Sequence, residues 1–360
     1  MISVAMLRTH YPHWGEYTAF NSFIQHFDPR RFKVSMNQVP MGDYWFPDIP
    51  LLKKYAAKKI KQQAPPAYKL NDLMAEISLY VQCKFNRVDV VHYIDAEHSL
   101  GFLPRWSKKS RFPRNRNTPK IVAMFHQPPA LLEQLIDIEI VKQVDRVLVV
   151  SPTQADYFSR YIPREQISVI LLGVASDHFT PSPEKNSTGE KGSGKLKCLG
   201  GGVWLRDYDS LFKTAEMLLA VPQIEFHLVS PGVDLPKRPQ WENLIYHDAI
   251  PDAKLLGLYR DCDVLFLPLL DATANTFLLE GSACGLPLVT TDLASTRAYF
   301  PGEEAILVRD NDPAAFAGAL TDLLQNPGKR SHMAEAARAR ALQLSWERIV
   351  KEYEKLYEVL

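Results

Sequence analysis

Glu280 follows a helix-start signal, Asn275-Thr276, in a segment that begins at Asp271 and runs through Gly285 to Pro287. Asn275 is a good N-cap, and a helix start offers unpaired backbone N–H groups and a positive dipole end to a phosphate. A carboxylate about one turn further in can accept hydrogen bonds from two neighbouring hydroxyls, such as those of a ribose. Arg206 comes just after the glycine run Gly200-Gly201-Gly202, where bare backbone admits a phosphate closely and the guanidinium supplies a bidentate charge. His126 ends an apolar run ahead of Pro128-Pro129, placed to donate to a sugar or to a leaving phosphate. These residue types at these positions describe a site for a nucleotide sugar.

Two further loops carry aromatic, histidine and carboxylate side chains. Thr9 to Glu16 contains His13, Trp14 and Gly15, and His92 to His98 contains Tyr93 and Glu97. An aromatic face packs on a sugar ring while polar groups read its hydroxyls, so His13, Trp14, Tyr93, Glu97 and His98 are assigned to the acceptor side. Gly15 lets its loop approach the donor phosphate.

Positioning these residues requires strands that all end at one edge. Apolar runs at Ile2–Leu7, Val88–Tyr93, Ile121–Phe125, Arg146–Val150 and Ile167–Leu171 alternate with helix-length segments, which predicts a parallel α/β sheet. Residues 182–195 are rich in Gly, Ser and charge and read as a linker. The pattern restarts at Leu196, with strands expected near Glu225–Val229, Leu244–Tyr246, Val264–Leu267, Leu288–Thr290 and Ala305–Val308. Pro287 is expected to end the helix that holds Glu280, and Asp312-Pro313 to start another. The domains are therefore 1–181, 196–344 and a terminal helix at 345–360.

With 360 residues and 46% hydrophobic content, the chain can fill two cores. Counting residues 1–180 gives 23 Lys+Arg against 16 Asp+Glu, and 181–360 gives 19 against 25, so a net charge of +1 conceals halves of +7 and −6. Lys53, Lys54, Lys58, Lys59 and Lys61 lie among Leu51, Leu52, Tyr55 and Ile60 at helical spacing, a pattern that allows peripheral membrane contact through the basic N-terminal domain. A second basic cluster spans Arg105 to Arg116; a solvated surface is the alternative reading of both. No nucleic-acid partner is expected. Four cysteines without CxxC spacing suggest free thiols in a cytoplasmic protein, and no run reaches the ~20 apolar residues of a membrane span.

The segment at 271–290 resembles the donor-site signature of retaining family-four glycosyltransferases of the GT-B fold. Glu280, Gly285 and Pro287 match the second half of that motif. Its first glutamate would fall at Ala272, so the chain resembles the subgroup written Asp-Ala-Thr-Ala-Asn, with Asp271 one residue away. Val144 to Gly173 is similar to the family's end-of-first-domain pattern, in which Ser151 is a helix cap and Gly173 a permissive turn. The Gly202 to Tyr208 stretch departs from it, with glycine in place of an earlier basic residue and Arg-Asp-Tyr in place of Lys-Gly.

The resemblance implies two doubly wound Rossmann-like domains facing across a cleft, with the last helix crossing back to the first domain. It implies transfer of a sugar from a nucleoside diphosphate to an acceptor hydroxyl on a glycan, glycolipid or small metabolite. His126, Arg206 and Glu280 would carry the chemistry, with Gly15, Gly202, Asp271, Asn275 and Thr276 holding the donor. No cofactor or metal is expected: Asp261-Cys262-Asp263 spells a metal-binding Asp-x-Asp but directly precedes a buried strand and reads as a turn. A nucleotide-sugar epimerase of the same fold and a non-catalytic nucleotide-sugar-binding protein are the alternatives.

Overall fold

A computed structural model describes residues 1–10, 15–40, 46–109, 118–183, 194–230 and 238–360. His13 and Trp14, the Arg111–Arg116 end of the second basic cluster and most of the 182–195 stretch lie outside the described residues.

The chain divides into two compact units. The first comprises Met1–Trp14, Phe23–Leu171 and Ile349–Leu360, and the second Gly15–Ser22 and Leu172–Arg348. In the first, β1 (Ile2–His10), β2 (Phe32–Pro40), β3 (Val90–Tyr93), β4 (Lys120–Phe125), β5 (Arg146–Val149) and β6 (Ile167–Val169) form one sheet ordered β2-β1-β3-β4-β5-β6. In the second, β7 (Leu196–Gly201), β8 (Ile224–Ser230), β9 (Leu244–Asp248), β10 (Val264–Leu267), β11 (Leu288–Thr291) and β12 (Ala305–Val308) are ordered β12-β11-β10-β7-β8-β9. Every pairing in both sheets is parallel. The central strands are buried on both faces, which is why they read as short unbroken apolar runs.

β2 was not foreseen from its sequence. It is an edge strand whose exposure alternates along FKVSMNQVP, so only half of its side chains needed to be apolar. Its parallel register against β1, from Ile2 with Phe32 to His10 with Pro40, still fixes it in the sheet.

The unit boundary also differs from the composition-based one at residue 181. Residues after Leu171 already belong to the second unit because that unit satisfies their backbone. The Tyr299 hydroxyl accepts from Leu172 N at 2.7 Å, Arg338 donates to the carbonyls of Ser176 and Phe179, and Arg260 donates to Thr180. The linker-like composition follows this packed stretch rather than marking the division. Ile349–Leu360, the greater part of helix Trp346–Glu358, packs in the first unit, where Tyr357 OH meets His92 Nδ1 at 2.6 Å and Glu354 accepts from Asp28 N.

Two expected glycine and proline roles change. Gly173 has no left-handed φ; a side chain there would run into the Trp346 ring, so close packing selects glycine. The helix Thr276–Ala283 stops before Pro287, at Cys284 and at Gly285 with φ +77°, a left-handed helix ending. Among the described residues, no helix is long and apolar enough to cross a membrane.

Candidate functional site

Both sheets reverse their winding direction at one point, between β1 and β3 in the first unit and between β7 and β10 in the second. Loops leaving the carboxyl ends of those strands form the natural ligand crevice of an open α/β sheet.

In the second unit the loops after β7 and β10 are tied together. Arg206 and Leu269 form an antiparallel bridge, Leu270 N donates to Leu205 O at 3.0 Å, and Asp207 N donates to Pro268 O at 3.0 Å. Gly200 and Gly201 are required by packing, since a side chain on either would press against Phe266 O or the Phe277 ring. Gly202 has φ +80°, and a Cβ there would sit 3.2 Å from Arg206 Nη2. This turn brings the guanidinium back over the strand end. Its Nε donates to Gly201 O at 3.0 Å and its Nη1 to Trp204 O at 2.9 Å.

Both partners of Arg206 are carbonyls. Burial lowers its pKa to about 10, yet it stays charged at neutral pH, and no carboxylate hydrogen-bonds to it among the described residues. A half-buried cation with no carboxylate partner among the described residues is an arrangement that an anionic ligand completes.

Asn275 caps the helix after β10, its Oδ1 accepting from Leu278 N at 3.2 Å. Thr276 is the first helical residue and partly exposed. Asp271, also partly exposed, accepts from Ala272 N at 2.7 Å and so shapes the approach to the helix. Glu280 is buried; its Oε2 accepts from Tyr259 OH at 2.9 Å and its Oε1 has no hydrogen-bond partner. Burial raises its pKa to about 7, with Tyr259 and the Thr18 hydroxyl pulling the other way. The expected fully ionised carboxylate is therefore corrected to one poised near neutrality, because its surroundings are largely apolar.

Tyr259 was missed in the sequence. It is wholly buried, bonds Glu280 and lies close enough to Arg206 to interact electrostatically with it, linking the two. Its position in the helix Asp252–Asp261, among Leu255, Leu258 and Arg260, gave no sign beyond core packing. Also missed was Asn311, whose side chain donates to Asp207 Oδ2 at 2.7 Å and Leu269 O at 2.9 Å and receives the Thr291 hydroxyl, pinning both loops.

Gly15 belongs to this unit. A side chain there would collide with the Asp252 carboxylate, so packing within this unit already demands the glycine. Two residues on, Tyr17 stacks on His178 at 3.8 Å between ring centroids. Asp261 and Asp263 are engaged by Lys197, through its Nζ at 2.7 Å and its backbone N at 3.0 Å.

In the first unit, Thr9 N donates to Asp95 Oδ2 at 3.0 Å, joining the loops after β1 and β3. Glu97 is buried; its Oε1 accepts from His126 N at 3.1 Å, and its Oε2 has no hydrogen-bond partner. Burial, and then Asp95, push its pKa up to about 8. His126 Nε2 meets Ile94 O at 2.7 Å, and burial lowers the ring's pKa to about 4. The neutral ring thus directs its Nε2 N–H to the Ile94 carbonyl. His98 is half-buried, with its pKa lowered by burial.

Tyr93 does not belong to the acceptor side. It is fully buried, and its hydroxyl donates to Glu76 Oε1 at 2.7 Å in an internal network with Tyr68, Gly101 and Phe102. The error was one of side-chain direction: on β3, His92 and Tyr93 face opposite sides of the sheet and both sides are covered.

A family model described as "Glycosyl transferases group 1" matches residues 198–326. Among curated relatives, a D-inositol 3-phosphate glycosyltransferase of Corynebacterium urealyticum is 34% identical over 31% of this chain and 26% of its own length. That of Arthrobacter sp. is 27% identical over 59% of this chain and 55% of its own. The chain thus spans about a quarter to about half of the length of these relatives. Among solved structures, sucrose-phosphate synthase from Thermosynechococcus elongatus aligns with a TM-score of 0.71 at 16% identity, covering 99% of this chain and 98% of that one. Anabaena HepE in complex with UDP and glucose aligns with a TM-score of 0.67 at 13% identity, covering 99% of both chains. The chain therefore has the GT-B fold, and its residues 198–326 are similar to the group 1 glycosyl transferases.

Proposed function

We propose that the protein is a retaining, metal-independent glycosyltransferase that moves a sugar from a nucleoside diphosphate to an acceptor hydroxyl on a glycan, glycolipid or small metabolite. The observation that carries this reading is Arg206, a half-buried cation whose hydrogen bonds among the described residues run to carbonyls, on a loop bridged to the segment leading into the Asn275-capped helix. Guanidinium and helix N–H groups together suit a diphosphate and stabilise the negative charge that develops as it leaves. Glu280, with one oxygen unpartnered, suits a ribose diol; a raised carboxyl pKa falls when two hydroxyls donate to it. The HepE structure in complex with UDP and glucose supports the choice of donor class.

Among the described residues, His126, with its ring pKa lowered to about 4, is a weak proton acceptor and Glu97, raised to about 8, holds its own proton near neutral pH, so in this reading the departing phosphate oxygen takes the acceptor proton on the same face of the sugar. Arg206 supplies the positive charge in place of a divalent ion. The four buried free thiols suit a reducing cytoplasm.

The test is release of nucleoside diphosphate from a panel of nucleotide sugars, with and without chelator, in wild type, Arg206→Ala and Glu280→Ala. Turnover of one donor that survives chelation and collapses in both variants supports the proposal. Donor binding without turnover, with glycan and lipid acceptors present, would indicate a binding protein, and conversion of the donor without acceptor an epimerase.

A further inference from the structure

The helix Pro50–Gln63 in the first unit is turned the unusual way round. It packs inward through Ala56 and Ile60, which share a small core with Tyr68, Leu70 and Phe102, while its larger apolar side chains face outward. Leu51 is 83% exposed and Tyr55 61%, and Ile49 and Leu52 are exposed beside them. Leu51 and Tyr55 are one turn apart on one face, which continues through Lys58 and is flanked by Lys54, Lys59 and Lys61.

That helix contains five lysines and neither Asp nor Glu, and none of the five meets a carboxylate among the described residues. Lys59 lies over the Tyr55 ring at 5.9 Å. The neighbouring helix Leu70–Phe85, joined to it through the same small core, shows a second outward apolar row at Ile77, Val81 and Phe85, the last 75% exposed, again without a carboxylate among its exposed residues. Beside the first helix, a cavity of about 430 Å³ has Ala57, Lys61, Pro65 and Lys69 among its lining residues.

Large apolar groups at the outward pole of a surface helix mark an interaction face. Its charge selects the occupant. A second copy of the chain pairing through the same patch would set lysines against lysines, since a two-fold interface repeats each group on both sides. An anionic bilayer satisfies both features at once, because lysines pair with lipid phosphates while apolar side chains enter the headgroup boundary. We infer that the outward face of Pro50–Gln63 docks the protein on a membrane surface carrying anionic lipid, with Leu51 and Tyr55 inserted and Lys54, Lys58 and Lys61 on the phosphates. The inference is independent of which sugar is transferred.

Pelleting of the full chain with phosphatidylcholine vesicles, with or without phosphatidylglycerol, tests it. Binding should require the anionic lipid and weaken in high salt. Each lysine at such a surface contributes about fivefold, so Lys54→Ala/Lys58→Ala/Lys61→Ala together should weaken binding about a hundredfold. Leu51→Ser/Tyr55→Ser should weaken it at least about tenfold by removing the inserted groups. Because the native cysteines are buried, a Leu51→Cys chain accepts an environment-sensitive dye at that thiol, and its emission should shift to the blue on anionic vesicles. Absence of binding, binding indifferent to both variants, or binding with unchanged dye emission would overturn the inference. So would a dimer in sedimentation that Leu51→Ser/Tyr55→Ser disperses, which would make a second copy the occupant.

Discussion

The two switch-point edges of this molecule use opposite electrostatics. In the second unit the loops after β7 and β10 hold a positive charge, Arg206, whose hydrogen bonds run to carbonyls. Asp207 stands next to it in sequence, but its carboxylate caps the following helix at Ser210 and receives Asn311. In the first unit the edge is crowded with groups kept uncharged by burial: Glu97 is raised to about 8 and His126 lowered to about 4. Burial raises Asp95 as well, while the charge of the buried Arg8 beside it pulls it down, so this edge also carries a cation. An edge whose cation has no carboxylate partner among the described residues suits an anion, whereas an edge where Glu97 and His126 are neutral and the Arg8 charge lies beside Asp95 suits a polyhydroxyl ligand. Similar topology thus yields two chemistries, according to where each loop's carboxylates are engaged.

The largest separation between the edges should come from Arg206→Ala. Removing the cation should cost about 3 to 4 kcal/mol in transition-state stabilisation, on the order of a thousandfold in turnover, and weaken nucleoside diphosphate binding as well. Calorimetric titration with UDP and ADP together with kcat/KM checks both halves. Unchanged nucleotide affinity would remove the contrast between the two edges.

Glu97→Gln should show the opposite behaviour, a stability change that depends on pH. Its folded-state pKa, about 8, lies above the ordinary value of 4.5, so the folded protein holds the proton more tightly than the unfolded chain. The stability from this group is complete below about pH 4.5 and is lost as pH rises towards 8. A neutral amide escapes that loss, so thermal melts should coincide near pH 5 and favour the variant by a few kcal/mol at pH 9. Melting curves that remain parallel across this range would mean that Glu97 is ionised in the fold.

His126→Ala should reduce turnover about thirtyfold, or about 2 kcal/mol, and leave nucleoside diphosphate affinity unchanged, because the ring belongs to the neutral edge. With a ring pKa near 4, the wild-type rate should show no limb near pH 6.5 that the variant lacks. Isothermal titration and a pH–rate profile test the two statements separately.

The second edge was the more legible one. A strand of four buried apolar residues, an N-cap and a carboxylate are local signals, and the fold placed Asn275 and Glu280 as their spacing required. What stayed hidden depended on distant contacts. Tyr259 reads as a core residue until its hydroxyl is seen on Glu280, and Asn311 reads as a turn until its amide is seen joining Asp207 to Leu269. Gly15 and Gly173 look like turn residues, yet Asp252 and Trp346, far along the chain, require them. At the first edge, Tyr93 was misplaced because a strand covered on both faces gives no alternation to reveal direction. The His126 contact with Ile94 O, 32 residues back in the chain, is likewise invisible in the local sequence.

Backbone strain separates the two units as well. The described non-glycine residues with left-handed φ are Ala19, Leu205, Ala249, Asp310 and Asn311, and all five lie in the second unit. Asn311 tolerates that conformation and is fixed by its amide bonds, but Leu205, at φ +55°, has a Cβ that opposes it. The conformation persists because Arg206 holds Trp204 O on one side and Leu270 N donates to Leu205 O on the other. Leu205→Gly should relieve the strain and stabilise the protein by at most about 1 kcal/mol, part of the gain being offset by the freer unfolded chain. The same freedom should loosen the loop that aims Arg206, so UDP affinity should fall about two- to threefold while the melting temperature rises slightly. A variant that gains stability and keeps full affinity would show that the Arg206 carbonyl bonds alone orient the guanidinium, leaving the strained turn without a part in binding.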